Sequence, residues 1–489
     1  VISRLPLDEY VPLYLTDKGL STQFNMTTVE ELGLLKMDFL GLRNLTIIRD
    51  ALEMIEANHG VKIDFSSMDY DDSAVYETIS HGNTQGIFQL ESGGMTSFMK
   101  NLKPDCFEDI VAGIALYRPG PMQSIPTYID NKKNPGHVAY IHESLKPILG
   151  VTYGCMVYQE QVMQIVRDLG GYSYGRSDLV RRAMSKKKMD VMLKEKEYFI
   201  NGKLAEDGSV EIAGCIRNGV PAEAAEEIFN QMISFAEYAF NKSHAAAYAV
   251  LAYETAYLKT HYPVEFMAAL MTSVMGDSKA MSMYIRNCKE MGIQVLPPDI
   301  NESSKKFTVV YDDSDKDRKA GKIRFGLMGV KNLGDGPIDA IIEARESKGR
   351  PADIFRFIEN LDIHKVNKKA IESIIRAGAM DSLNPNRAAH LSIYESLVDS
   401  AQSSAKHNIA GQMSLFQTNA DILEESTAIN LPDVSNFDKE QLLAQEKEML
   451  GVYLSAHPLD EYSEIIKKNV SVTSGDLAEV LAAEEEGYT

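Results

Sequence analysis

The spacing of apolar residues changes period several times along this chain, and each change predicts an element. Glu31 to Arg43, ELGLLKMDFLGLR, is nearly continuously apolar through Leu34, Leu35, Met37, Phe39, Leu40 and Leu42. A short run of that kind predicts a buried strand, and residues 1–43 as a whole read as β-rich. From Leu45 the period turns helical: Leu45, Ile48, Leu52 and Ile55 share one face, and Gly60 closes it. The helical pattern continues to about residue 270, broken by Gly/Pro punctuation at Ser80–Gly86, Tyr117–Met122 and Asn131–His137. Val157–Ile165 predicts a helix with Val157, Gln161 and Gln164 on one side, and Arg176–Met192 a helix with Leu179, Ala183 and Met184 as its apolar seam. Phe235–Phe266 predicts one long helix with Asn241, Lys242, Ser243 and His244 at its mouth and Ser243 as N-cap. Its alanines invite close approach by another helix or a nucleic-acid backbone, and core packing fits most of Tyr248, Tyr253 and Tyr257.

After Pro297–Pro298 the pattern shifts. Lys306–Asp313 predicts a strand leading to Ile323–Arg345, where Leu333-Gly334-x-Gly336-Pro337 followed by Ala340 fits a helix-hairpin-helix. A second helical pair, Lys365–Leu383, is basic at its entry and capped by Gly378. Residues 398–440 are polar and predict a flexible connector, interrupted by the apolar element Gln412, Met413, Leu415, Phe416. Leu442–Tyr462 reads as a helix, then Gly451 and a strand.

With 489 residues the chain has room for about three domains. Its 44% hydrophobic and 25% charged residues are those of a globular protein. No apolar run approaches the ~18 residues of a membrane span, and no cationic leader opens the chain. Cys106, Cys155, Cys215 and Cys288 are scattered without metal spacing and read as reduced, mostly buried thiols in a cytoplasmic protein. Val1 stands where an initiator Met would, which fits a piece of something longer.

A net charge of -20 argues against nucleic acid, but charge is segregated. Arg176, Arg181, Arg182, Lys186, Lys187 and Lys188 face a single acid, Asp178, in that window. Such a run is either a solvated face or a grip for a triphosphate or backbone, since arginine forks match phosphate oxygens. Lys36 and Asp38, two apart, share one strand face. They fit an ion pair at a strand end, or a metal-binding carboxylate beside a phosphate-facing lysine. Arg118 lies against a stiff Pro-Gly-Pro turn that either holds it for contact or shapes a loop. His244 fits a proton donor or a structural hydrogen-bonder. Gly334 and Gly336 permit a tight hairpin whose amides, near Lys331, can hold a phosphate. Gln412 to Phe416 fits either a segment tucked onto the host or one docking in a partner's groove.

The stretches LLKMDFLGLR, FQLESGGM, ALYRPGPM, VYQEQVMQI, LVRRAM, FNKSHAAAYA, FGLMGVKNLGDGP, NKKAIESIIRAGAMD and LGVYLSAHPLDEY together resemble one family. It is the bacterial replicative DNA polymerase III alpha subunit, the C-family DNA polymerases, and the pieces follow the family's order over almost the whole chain. The resemblance implies a mainly α fold with small β parts: the C-terminal edge of a nucleotidyltransferase-like palm sheet (1–43), helical fingers (44–270), and a clamp- and DNA-binding domain (271–440). That last domain would hold the helix-hairpin-helix at about 323–383 and a clamp-binding linker at about 398–440, with residues 441–489 leading into an OB domain. It implies a DNA-directed DNA polymerase with two Mg2+ ions. Its partners would be primed template DNA, dNTPs, a sliding clamp and other replicase subunits, with no membrane. Asp38 matches a metal-binding aspartate, Lys36 its neighbouring lysine, Arg181 and Arg182 the fingers arginines that face the nucleotide's phosphates, and Gln412–Phe416 the clamp-binding pentapeptide. The family's other two aspartates lie in a Pro-Asp-x-Asp-x-Asp-Phe motif that does not occur here. A non-catalytic module that binds DNA and clamp, or a degenerate scaffold paralogue, are the alternatives.

Overall fold

The computed structural model describes residues 1–17, 19–37, 41–185, 189–236, 240–312, 314–315, 318, 320–408 and 431–471. The chain divides into two units, Val1–Thr46 and Ile47–Thr489.

In the first unit, β1 (Leu13–Thr16) and β2 (Gly19–Thr22) form an antiparallel hairpin with Leu13 opposite Thr22. The helix α1 (Met26–Glu31) follows because Asn25 caps it, its side chain accepting from the Thr28 N–H. The expected buried strand is not formed among the described residues. Leu34 joins Val11 and Val29 in a small core, but Leu35 makes a lone bridge with Ile2 and is 58% exposed. A strand buried on both faces needs a neighbour along each edge, and the hairpin strands pair with each other instead. Phe39 and Leu40, which would have completed the run, lie outside the described residues.

The second unit begins within α2 (Arg43–His59), whose Ile47, Ile48, Ala51 and Ile55 are buried. After it come α3 (Ser73–Ser80), α4 (Gly93–Leu102), α5 (Phe107–Leu116), α6 (Ile125–Lys133) and α7 (Lys146–Leu149). Then follow α8 (Gln159–Gly170), α9 (Tyr174–Ser185), α10 (Met189–Asn201), β3 (Lys203–Leu204), β4 (Val210–Ile212) and α11 (Ala222–Ala236). The predicted long helix 235–266 is instead three pieces: the end of α11, then α12 (Lys242–His261) and the start of α13 (Pro263–Ser273). Proline has no N–H to continue the ladder, so Pro263 starts a new helix. The β3–β4 hairpin interrupts the predicted run of helices, with Asp207-Gly208 at its turn and Gly208 at φ 80°.

Two cores organise this part. One gathers α3, α4, α5 and α12, with Ala245, Ala249, Ala252 and Ala256 fully buried on α12. That stripe of small side chains lets α5 approach α12 closely, so a helix, rather than a nucleic-acid backbone, takes the alanine face. The other core packs α7 to α11 around Ile165, Phe199, Ile228 and Phe229.

A third core runs from α2 and α13 through α14 (Ser278–Glu290) and the sheet of β5 (Val295–Leu296), β6 (Thr308–Val310) and β7 (Lys322–Arg324). In that sheet β7 is central, parallel to β5 and antiparallel to β6. The core ends among α15 (Asp335–Lys348), α16 (Ile354–Asn360), α17 (Lys368–Arg376), α18 (Arg387–Asn408) and α19 (Lys439–Leu450). The expected connector starts later than position 398, because α18 continues to Asn408 with Val398 fully buried. No strand follows α19 among the described residues. The buried Glu446 accepts from the Leu454 and Ser455 N–H groups, so those amides are spent on a carboxylate, and α20 (Ser463–Asn469) follows. All four cysteines are free thiols, and Cys155, Cys215 and Cys288 are buried. No described helix is long and apolar enough to cross a membrane.

One titrating group in this fold gives a stability test. Burial pushes the Glu254 carboxyl on α12 up to about 7. From the ordinary glutamate value to about 7 the unfolded chain has released a proton that the fold retains, so stability falls as pH rises through that window. Glu254→Gln should therefore be more stable than the wild type at pH 8, by about 1 kcal/mol after solvent screening, and equal to it at pH 4. Urea unfolding at the two pH values checks it.

Candidate functional site

Three helix ends and one turn meet around the start of α8. Gln161, buried in its first turn, accepts from the Val157 and Tyr158 N–H groups and donates to Thr152 Oγ1 at 2.8 Å. This leaves Val157 and Tyr158 extended ahead of the helix, where Tyr158 forms a parallel bridge with Phe240. The Gln159 N–H donates to the Phe240 carbonyl at 2.9 Å. Glu160 accepts from Asn241 Nδ2 at 2.9 Å and from the Lys242 N–H at 3.0 Å. The first turn of α8 thereby holds the mouth of α12.

At that mouth the N-cap is Asn241, whose Oδ1 accepts from the His244 N–H at 2.9 Å. Ser243 was the expected cap, but it lies inside the first turn and is exposed. Lys242 reaches Glu108 and sits 5.3 Å from the Tyr158 ring centroid. His244 is exposed and rests 4.3 Å from the Tyr248 ring. Arg118 lies with its guanidinium carbon 4.6 Å from the centre of Phe240. Its turn depends on Gly120 at φ 100°, a conformation that side chains rarely adopt.

On α9, Arg181 places Nε and Nη2 on Asp178 Oδ1 at 2.9 and 2.7 Å, and Nη1 on Gln159 Oε1 at 3.1 Å. Arg182 places Nε on the other carboxylate oxygen of Asp178 at 2.7 Å. The hydrogen bond from Arg181 is the largest influence, and with both arginine charges it holds the Asp178 carboxyl below its ordinary value. The buried seam of α9 is Val180 with Ala183, whereas the predicted seam residue Leu179 is 63% exposed. Arg181 is a quarter exposed and Arg182 is 64% exposed. Arg176 stands apart from this pair, tied to Glu195 and Glu211 and stacked near Tyr172 and Tyr198. The predicted cation run therefore divides: Arg176 is structural, Arg181 reaches Gln159 on α8, Arg182 shares Asp178 with it, and Lys186, Lys187 and Lys188 lie outside the described residues.

Sequence reasoning named Asp178 as the one acid among the cations but missed Gln159, Glu160 and Phe240. Polar residues at a helix start carry a capping signal, and Phe240 directly precedes the quoted Asn-Lys-Ser-His. Neither pattern says which partner each one reaches.

The remaining predicted residues lie elsewhere. Lys36 is exposed, and Asp38 is outside the described residues. Gly334 is the N-cap of α15 and Gly336 lies in its first turn. A Cβ at Gly334 would meet nothing within 4 Å and one at Gly336 only the Lys365 carbonyl at 3.9 Å, so that helix start is open. Lys331 is exposed nearby, its N–H donating to the Met449 carbonyl. Gln412, Met413, Leu415 and Phe416 are outside the described residues. Among the described residues, Asp105, Cys106 and Asp109 bring possible metal ligands within 4.8 Å of one another. The Lys132 ammonium bonds Asp109 and lies 3.2 Å from Asp105, so a side-chain cation already holds that cluster.

Three family models match along the chain. Residues 1–41 match the bacterial DNA polymerase III alpha NTPase domain, 44–207 the finger domain of the same subunit, and 292–390 a helix-hairpin-helix motif. The chain is 42% identical over 485 residues to the DNA polymerase III subunit alpha of Thermus aquaticus, covering 98% of this chain and 37% of that one. It is 42% identical over 465 residues to that of Bacillus subtilis, covering 94% of this chain and 39% of that one. It is 41% identical over 481 residues to that of Mycobacterium tuberculosis, covering 96% and 39%. The chain thus spans a little over a third of the length of these relatives. The matched finger segment contains α8 and α9, which carry Gln159, Arg181 and Arg182, and the chain belongs to the bacterial DNA polymerase III alpha subunit family.

Proposed function

We propose that this chain serves template-directed DNA synthesis from dNTPs in chromosome replication, as part of a DNA-directed DNA polymerase (a nucleotidyltransferase) that works in the cytoplasm on the nucleoid. The observation that carries the reading is the junction of Arg118, Arg181, Arg182 and Lys242 around the start of α8. Four cations gathered there suit a polyanion such as a triphosphate. In this reading Arg181 and Arg182 bind the phosphates. Arg118, Lys186, Lys187, Lys242, Ser243 and His244 contact the nucleotide or DNA. Gly334, Gly336 and Lys331 present amides and charge to the duplex backbone.

Catalysis would use a divalent metal, Mg2+, with Asp38 as one ligand and Lys36 beside it. Two ions roughly 3.5–4 Å apart need several carboxylates to hold them. Asp38 alone does not make such a site, and no step through the ions is derived from these residues. The chain by itself is therefore expected to be inactive. The partners proposed are primed template, dNTPs, the sliding clamp through Gln412–Phe416, and other replicase subunits such as the clamp loader and a separate proofreading exonuclease. A non-catalytic DNA- and clamp-binding module is the second reading, favoured by the missing Pro-Asp-x-Asp-x-Asp-Phe motif.

Two experiments test this reading, the first on the nucleotide site and the second on the clamp-binding segment. In the full-length polymerase, Arg182→Ala should raise the dNTP concentration for half-maximal rate at least about fivefold. A solvated arginine would change it less than about twofold, the scale of an ordinary surface substitution. For the clamp, Leu415→Ala with Phe416→Ala should cost at least about 2 kcal/mol of binding by calorimetry, with Ser414→Ala near neutral. Unchanged affinity in the double variant would place the clamp elsewhere.

A further inference from the structure

We propose that Gln159 is a positioning residue for Arg181, coupling the direction of its guanidinium to the mouth of α12. The proposal rests on the triphosphate-binding reading of Arg181.

A guanidinium presents separate edges, and here they have different anchors. Nε and Nη2 bond Asp178, which sits three residues back on the same helix and so fixes the side chain relative to α9 alone. Nη1 bonds Gln159, which belongs to α8. The Gln159 backbone N–H is committed to the Phe240 carbonyl, and the next residue, Glu160, holds Asn241 and the Lys242 N–H. Phe240 in turn carries Arg118 on its ring. One amide side chain therefore relates Arg181 to Arg118 and Lys242, which stand on other elements.

The amide suits this task better than its relatives. Its oxygen orients a guanidinium without adding charge, so Arg181 keeps a net attraction for an anion after Asp178 has drawn on it. Glutamate would keep the acceptor and add a second anion beside Arg181. Leucine would keep the bulk and remove the acceptor, taking away the Nη1 bond that ties Arg181 to α8. A charged donor that is misdirected by about 1 Å loses much of its effect on a reacting group.

The test uses the full-length polymerase with single-nucleotide incorporation on a primed template, comparing Gln159→Leu, Arg181→Ala and the two together. Gln159→Leu should lower kcat/KM for the nucleotide about tenfold and leave the KM for primed DNA unchanged. The double variant should be no worse than Arg181→Ala within about twofold, because Gln159 acts through Arg181. Gln159→Glu, the second variant, should raise the nucleotide KM with kcat near the wild type. Multiplicative losses in the double variant, a Gln159→Leu enzyme within about twofold of wild type, or an unchanged KM in Gln159→Glu would each overturn the role of Gln159 while leaving the triphosphate reading intact. An Arg181→Ala enzyme with wild-type nucleotide kinetics would instead remove that reading, and this proposal with it.

Discussion

Gathering cations at one junction costs repulsion, and the arrangement around α8 depends on how that repulsion is offset. Asp178 sits between Arg181 and Arg182, Phe240 lies under Arg118, and Glu108 with the Tyr158 ring takes Lys242. Asp178 is one carboxylate shared between two guanidinium groups, so the pair of arginines keeps a net positive charge. A fully compensated arginine would have little pull left for a phosphate, and an uncompensated cluster would splay apart.

The scaffold beneath this junction explains why its groups keep their places. At one end of α12, Glu160 and the Asn241 cap hold the mouth. Toward the other end, the buried Lys259 donates to the Gln85 carbonyl and to Asn287 Oδ1. Burial lowers the Lys259 ammonium to about 8, a cost accepted for two hydrogen bonds that tie α12 to α14 and to the turn after α3. Between those ends the alanine stripe lies against α5. Any tilt of α12 would move Phe240 and with it Arg118, Gln159 and Arg181.

Much of this architecture was legible in the chain because helix period, proline and glycine act locally. The helices up to about residue 270, the caps at Gly378 and Gly451 and the open start of α15 follow from such signals. What the pattern misjudged depended on contacts distant in sequence. Leu34 and Leu35 look like strand core, yet a strand needs partners along its edges, and Leu35 finds only Ile2. Leu179 looks apolar and buried, but α9 packs through Val180 and Ala183. Residues from 398 read as polar connector until Val398 enters the core. In the candidate site, Arg181 and Arg182 were visible as a motif. Gln159 and Phe240 were not, because their role lies in the pairing of two segments about eighty residues apart, which local periodicity does not encode.

On the proposed reading, the junction of α8, α9 and α12 receives the triphosphate of the incoming nucleotide. A crystal structure of the full-length polymerase with primed template and a non-hydrolysable dNTP tests it most directly. The expected result is phosphate oxygens within hydrogen-bonding distance of Arg181 and Arg182, with the Arg181–Gln159 contact retained. A nucleotide whose phosphates lie away from both arginines, with both still closed on Asp178, would contradict it.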